Sequence, residues 1–349
     1  MATIGAGLIG AAGIFIIPNR IMVFDKALEE KNNAPVAKDV PEIILPISSL
    51  RGEPCPPSPK ATEGQGESAG RRPFAVMMAE DQVARPLSGI GLADVVIEMP
   101  VITNGINRMM ALFQCSLSSE IGSVRSARHD FIPLAAGFDA IFVHWGGSHY
   151  ALDELKLNVI DRIDALVNPF NTFWRKSYVR APHNGFTSVD NMLRAAQGLD
   201  YSLTSTFAGY ARISNEGRND KSGTLKIYYP ARVDYAYDPS SGKYLRSRSN
   251  MKEVDALTQQ QVSADVVVVM FAPSHQLEKD YNTVAVTGEG DALVFQKGIR
   301  QEAKWRKDAR KLSSPLEFLD KDGKQVFLVR GTMWIQIADP GTRVDWIGE

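Results

Sequence analysis

The first apolar run in the chain extends from Ala2 to Ile17 with no polar group larger than Thr3, and Ile21-Met22-Val23-Phe24 resumes it beyond Pro18-Asn19-Arg20. As a helix rising about 1.5 Å per residue the first run reaches roughly 24 Å, and the second extends it toward the roughly 30 Å of a hydrocarbon core. Residues 1–24 are therefore expected to be an N-terminal membrane anchor. A cleaved signal peptide and a buried core helix compete with this reading. The first lacks a clear small-x-small cleavage site, and the second would stand alone before a linker.

The apolar periodicity then stops. Prolines fall at 35, 41, 46, 54, 56, 57 and 59, followed by Glu-Gly-Gln-Gly-Glu-Ser-Ala-Gly from 63 to 70. A tract that buries so little apolar surface does not offset its ordering entropy, so residues 25–71 read as a disordered Pro/Gly-rich linker.

Regular patterning returns at Phe74-Ala-Val-Met-Met78, a short apolar strand. Ala93–Met99 and Arg108–Gln114 follow as strands around Thr103-Asn104-Gly105, where Asn-Gly favours a tight turn, so a hairpin is expected. Apolar residues at 131, 132, 134, 135 and 138 predict a short helix over 128–138. Ala140–Val143 reads as a buried strand, Ser148–Leu157 as a second helix, and 161–186 as irregular. Thr187–Gln197 reads as a helix capped by Thr187 or Ser188, with Asp190 in its first turn.

From about Lys221 only strands are predicted: 225–229, 232–237, 244–249, 264–271, 283–287, 291–296, 301–306, 316–319, 325–329 and 332–337. The expected fold class is a mixed α/β (α+β) N-terminal domain, 72–215, followed by a mainly antiparallel β C-terminal domain, 216–349.

Composition changes this picture little. The chain has 349 residues, is 44% hydrophobic and 23% charged, and carries a net charge of -1. A chain this close to neutral exerts no long-range pull on polyanions, so a nucleic-acid partner is not expected. Cys55 lies in Pro54-Cys55-Pro56-Pro57 and Cys115 ends an apolar run. They are not expected to pair, and no zinc-type spacing is present.

Three polar constellations interrupt the apolar pattern. In Glu120-Ile-Gly-Ser-Val-Arg-Ser-Ala-Arg-His-Asp130, Arg125 and Arg128 stand three apart, so on the first turn of a helix both would project to one side. With Ser126, Arg108 from the preceding strand and free helix N-terminal amides they would form a phosphate or carboxylate cradle. The competing reading pairs these arginines with Asp94, Glu98, Glu120 or Asp130.

The second constellation is His144-Trp145-Gly146-Gly147-Ser148, at the end of a strand, where a Gly-Gly turn admits a ligand to the backbone. It matches neither GxGxxG nor a P-loop, and no cofactor is expected. A hydrogen-bonded structural histidine is the plain alternative at His144. The third is Arg180 with Pro182-His183-Asn184, in which His183 is a candidate donor or acid-base. A Ser148, His183 and carboxylate triad is disfavoured, because Ser148 lacks a nucleophile-elbow sequence. A site on His144, His149 and His183 is disfavoured by its spacing, and no metal is expected. Trp145, Trp174 and Tyr178 lie nearby in sequence, as core packing or as a sugar-binding wall.

Arg85-Pro-Leu-Ser-Gly89, Ala93-Asp94, Glu98, Arg108, Ile121–Arg128, Val143–Ser148 and Arg180–Asn184 together resemble the DUF3048 family, the YerB-like lipoproteins. Val233–Asp238, Tyr244-Leu-Arg246, Asp255–Thr258 and Asp265–Val268 resemble its C-terminal module. The resemblance covers about residues 72–340. It implies a tethered bacterial protein whose body faces outward, with no established biochemical role. A lipoprotein needs a modifiable Cys right after the apolar run, and Pro18-Asn19-Arg20 stands there, so a helix anchor is inferred in place of a lipid.

Charge alone points the other way on orientation, since Arg20 and Lys26 follow the run and no Lys or Arg precedes it. The expected function is a membrane-anchored, extracytoplasmic protein binding an anionic cell-envelope polymer, without catalysis. The alternatives are an envelope hydrolase or transferase using His144 or His183, and a protein-interaction scaffold.

Overall fold

The computed structural model describes residues 13–17, 20–24, 47–55 and 68–348. They fall in two compact units, 1–44 and 45–349. In the first, Gly13–Ile17 and Arg20–Phe24 pair as an antiparallel hairpin, where the apolar pattern predicted helix. Ile14, Ile16 and Ile17 are β-branched and suit a strand. The rest of the expected anchor, residues 1–12 and 18–19, lies outside the described residues. Among the described residues no helix is long and apolar enough to cross a membrane.

The second unit is built on a ten-stranded sheet. Its strands, in chain order among all those named here, are β1 (Phe74–Met78), β2 (Val95–Pro100), β3 (Asn107–Phe113), β4 (Ile141–His144) and β5 (Arg162–Asp164) from the N-terminal half. A second sheet then contributes β6 (Gly223–Ile227), β7 (Val233–Asp238) and β8 (Lys243–Arg248). The main sheet continues with β9 (Val266–Phe271), β10 (Gly288–Gln296), β11 (Ile299–Lys307), β12 (Glu317–Leu319) and β13 (Met333–Ala338). β14 (Val344–Gly348), which the sequence pattern did not predict, closes the second sheet against β6.

The order across the main sheet is β12-β11-β10-β9-β13-β2-β3-β1-β4-β5. The N-terminal half is thus mixed α/β and the C-terminal half mainly antiparallel β, but the two share one sheet. β13 returns from near the end of the chain to lie parallel to both β2 and β9. The expected boundary at 215/216 therefore falls between strands that go on to build a single sheet.

Alternation along each strand sends neighbouring side chains to opposite faces. On one face Ala75, Met77, Ile97, Met110 and Leu112 pack against α1 (Phe131–Gly137) and α2 (His149–Leu155). On the other, Val76, Val96, Met109 and Ala111 pack against β6 to β8 and α3 (Val189–Gly198). The predicted Asn-Gly hairpin joins β2 to β3, with Asn104 at φ 54. Ser188 is the residue that caps α3, accepting from the Asn191 N–H at 3.2 Å.

Part of the expected tether is folded. Ile47 and Pro54 bridge a turn in which Ser48 and Leu50 are fully buried. Ser48 Oγ donates to Gln114 Oε1 at 2.6 Å, and Arg51 Nη1 lies 3.5 Å from Asp94. Docking this turn on the end of β3 brings Cys55 to Cys115, and they form a disulfide with Cα atoms 5.0 Å apart. This corrects the sequence expectation, which took the proline tract as detached from the body.

Candidate anion-binding site

The segment carrying Arg125 and Arg128 precedes α1; neither residue lies on its first turn, contrary to the sequence expectation. It runs extended. Val124 bridges Met78 at the end of β1, the Arg125 N–H donates to Met77 O at 2.8 Å, and Ala127 bridges Gly147 beyond the end of β4. Since β1 and β4 are parallel, this lays the arginines across the carboxyl ends of two adjacent strands, where open α/β sheets bind ligands.

The same place collects the other groups. β3 is antiparallel to β1, so Arg108 at its start lies beside the end of β1. The Val124 N–H donates to Gly185 O at 2.8 Å, which draws in the loop carrying Arg180 and His183, and Arg125 Nη1 donates to Pro182 O at 3.3 Å. Asp81, just beyond β1, holds an oxygen 4.0 Å from His183 Nδ1.

None of Arg108, Arg125, Arg128 and Arg180 forms an ion pair among the described residues. Arg108 donates to Ser126 O at 3.2 Å and Arg128 to Ala127 O at 3.1 Å, both backbone acceptors. The Nε atoms of Arg108, Arg125 and Arg128 and the His183 Nδ1 are buried without a hydrogen-bond partner. The carboxylates that could have neutralised the arginines are engaged elsewhere: Asp94 with Arg51, Glu98 with Arg246 and Arg248, Glu120 with Lys176. Asp130 meets His129 and Thr283.

The electrostatics follow from this imbalance. Burial, then the Arg128 and Arg125 charges, push Arg108 down to about 9, with Asp81 and Glu80 opposing. Burial and Arg125 likewise lower His183, against Asp81. A guanidinium does not give up its proton at neutral pH, so a lowered value here describes a cation held in an unfavourable potential that a bound anion would relieve. Burial also pushes Asp130 up to about 7 and, with Arg128, lowers His129. Their 3.2 Å contact therefore joins two groups whose charged forms burial disfavours.

The remaining predicted residues serve the fold. His144 is fully buried, with Nδ1 2.9 Å from Gly146 O and 3.7 Å from Asp164; burial lowers it against the pull of Asp164. The Gly146 N–H donates to Asp164 Oδ1 at 2.9 Å and so is not free for an anion. Gly147 packs on Ala127. Ser148 Oγ caps α2 by accepting from the Ala151 N–H at 3.2 Å. Asn184 Oδ1 accepts from Arg175, which stacks on Trp145. His149 pairs with Glu278, so the three histidines lie in three different settings. Among the described residues no group of three or more His, Cys, Asp or Glu side chains could hold a metal.

Two features escaped the sequence. Asp81 carries no motif; only its place just after β1 marks it. Tyr281, whose ring lies 5.3 Å from the Arg128 guanidinium, comes from a hairpin, Ser274–Glu278 with Tyr281–Val284, more than 150 positions away.

The arginine cluster thus stands at strand ends of a mixed sheet whose other half is mainly antiparallel. Comparison with known proteins assigns the family. Residues 61–202 match "Protein of unknown function (DUF3048) N-terminal domain" and residues 225–335 match "Protein of unknown function (DUF3048) C-terminal domain". The chain belongs to the DUF3048 family. It is 32% identical over 275 residues to the protein named "Putative lipoprotein YerB" of Bacillus subtilis (strain 168), covering 77% of this chain and 81% of that one. The crystal structure of YerB protein from Bacillus subtilis superposes with a TM-score of 0.75 at 29% identity, covering 86% of this chain and 99% of that chain.

Proposed function

We propose that this is a membrane-tethered, extracytoplasmic protein that binds an anionic cell-envelope ligand through Arg108, Arg125, Arg128, Arg180 and His183. The observation that carries the reading is that Arg108, Arg125 and Arg128 converge at two strand ends and donate only to backbone carbonyls. An uncompensated buried charge costs several kcal/mol, which a bound anion would offset. Planar guanidiniums left open in a cleft match phosphate or carboxylate oxygens. The placement outside the membrane draws support from the relative's lipoprotein name and from the Cys55–Cys115 disulfide, a bond that persists in oxidising compartments.

The test is calorimetric titration of the full-length protein in detergent with a glycerol phosphate oligomer, alongside a neutral oligosaccharide. The parent protein binds the phosphate polymer with an affinity that falls as salt rises. The Arg125→Ala, Arg128→Ala double variant loses at least about tenfold, or ~1.4 kcal/mol. Unchanged affinity in a double variant with native circular dichroism sinks the site.

A further inference from the structure

We infer that Tyr281, Tyr150 and His149 form a saccharide subsite continuous with the arginine cluster, so that the anion taken by Arg125 and Arg128 is one carried on a sugar ring. The inference rests on the anion-binding reading above and narrows it to a ligand class.

Three observations support it. The first is the shelf itself. Tyr281 lies against Arg128 on one side and meets His149 edge-on, with centroids 5.3 Å apart at 87°, and Tyr150 at 6.2 Å and 80°. His149 and Tyr150 lie 4.1 Å apart, and the His149 side chain is half exposed. Aromatic rings on a wet surface offer an apolar body beside polar groups, which suits the C–H face of a sugar.

The second is the carboxylate set into this shelf. Glu278 Oε1 accepts from the Tyr150 hydroxyl at 2.8 Å and lies 3.2 Å from His149 Nε2, while its side chain stays 48% exposed. A site meant for a bare anion gains nothing from a carboxylate, which repels it. A ligand with hydroxyl groups does gain, because an ionised carboxylate is an acceptor only and forms strong hydrogen bonds with hydroxyl donors. Arg128, Tyr281, His149 and Glu278 thus follow one another through direct contacts, cation to ring to acceptor.

The third is that the hairpin is fixed before any ligand arrives. Ser274 is held by Asp339 at 2.6 and 2.9 Å, and Asn282 donates to Pro100 O at 3.3 Å. Thr283 donates to Asp130 at 3.1 Å, only two residues from Arg128. Shelf and cluster therefore keep a set relation, and prior order of this kind lowers the cost of binding.

The full-length protein in detergent is titrated with glucose 1-phosphate and with glycerol 3-phosphate, which carries the same phosphate on an acyclic polyol. The sugar phosphate is expected to bind roughly tenfold tighter, the worth of one well-placed ring contact. In Tyr281→Leu and in Glu278→Gln the ratio of the two affinities falls toward one, while Tyr281→Phe, which keeps the ring, retains it. Equal affinities in the parent protein overturn the saccharide subsite and leave the anion site standing. So does a ratio that survives in both Tyr281→Leu and Glu278→Gln with native circular dichroism. If neither phosphate binds, the anion site fails, and the subsite with it.

Discussion

Glu98→Gln probes the buried charges that join the main sheet to the second sheet. Glu98 is fully buried on β2 and accepts from Arg246 and Arg248 of β8 at 2.7 Å each, and from Asn107 at 2.8 Å. Arg246 also reaches Glu253 at 2.7 Å, and Arg248 reaches Glu80 at 2.6 Å, where Arg85 joins at 2.6 Å. Three carboxylates thus face three guanidiniums.

Removing one charge while keeping the side-chain volume leaves no cavity, so the penalty is that of an uncompensated buried cation, about 3–5 kcal/mol. The lower end applies, because Arg246 and Arg248 keep their other carboxylates. About 3 kcal/mol lowers the melting temperature by on the order of 4 °C in a chain of this length. Urea unfolding followed by tryptophan fluorescence measures it, since Trp334 stacks 4.1 Å from the Arg246 guanidinium. Adding Arg246→Met restores the charge balance and retains an apolar stem, so the double variant is less destabilised than the sum of the singles by at least about 1 kcal/mol.

The effect also has a pH signature. Burial would raise Glu98, but Arg248 and Arg246 overcome it and hold it at about 2. A depressed carboxylate contributes stability above its ordinary range and loses it as pH falls through the folded value, so the penalty of Glu98→Gln shrinks from pH 4.5 down toward 2. A loss below 1 kcal/mol that is additive with Arg246→Met and flat with pH would refute this account of the network.

Asp130 should behave in the opposite sense. Burial raises it to about 7, so its contribution is complete below the ordinary carboxylate range and is lost as pH rises to 7. Asp130→Asn is therefore expected to gain on the parent protein across that window, by up to about three pH units' worth or roughly 4 kcal/mol, and a constant difference in urea midpoint from pH 4 to 7 would contradict it. For the disulfide, the 60-residue separation of Cys55 and Cys115 sets a loss of about 4 kcal/mol in Cys115→Ala on the chain-entropy account. Equal unfolding midpoints with and without reductant would show that the Ile47–Cys55 turn adds nothing to the body, and a reduced pair in cells would argue against an extracytoplasmic body.

Much of the fold was legible because period-2 patterns and Asn-Gly turns act locally. β1 to β4 and all three helices stand close to where the apolar spacing put them, and Ser148 and Ser188 cap helices as N-cap chemistry requires. What could not be read depends on partners distant in sequence. No local signal says that β13 returns between β2 and β9, or that Asp94, through the Gln114 and Cys115 amides and Arg51, draws a proline tract onto the body. The site was half legible. Arg108, Arg125, Arg128 and His183 do come together, but around extended backbone and not a helix N-terminus. His144 looked equally promising in sequence and is sealed in the core, because a strand end gives no sign of which residue will cover it.

The two charge clusters make the strongest case for function when set side by side, because the same pair of strands builds both. On β2 and β3, Glu98 and Asn107 turn toward the second sheet, while Arg108, one residue on, turns toward the opposite face with Met110 and Leu112. On the first face, buried guanidiniums meet buried carboxylates one for one. On the second, Arg108 is as deeply buried, yet Arg125 and Arg128 surround it with like charge, and Asp81 and Glu80 answer only in part. The fold therefore can neutralise a buried arginine, and Asn107, next to Arg108, donates to the carboxylate that does so. Leaving Arg108 uncompensated costs stability, which on the proposed reading a bound anion would offset. On that reading, an incoming anion would complete the second cluster as Glu98 completes the first.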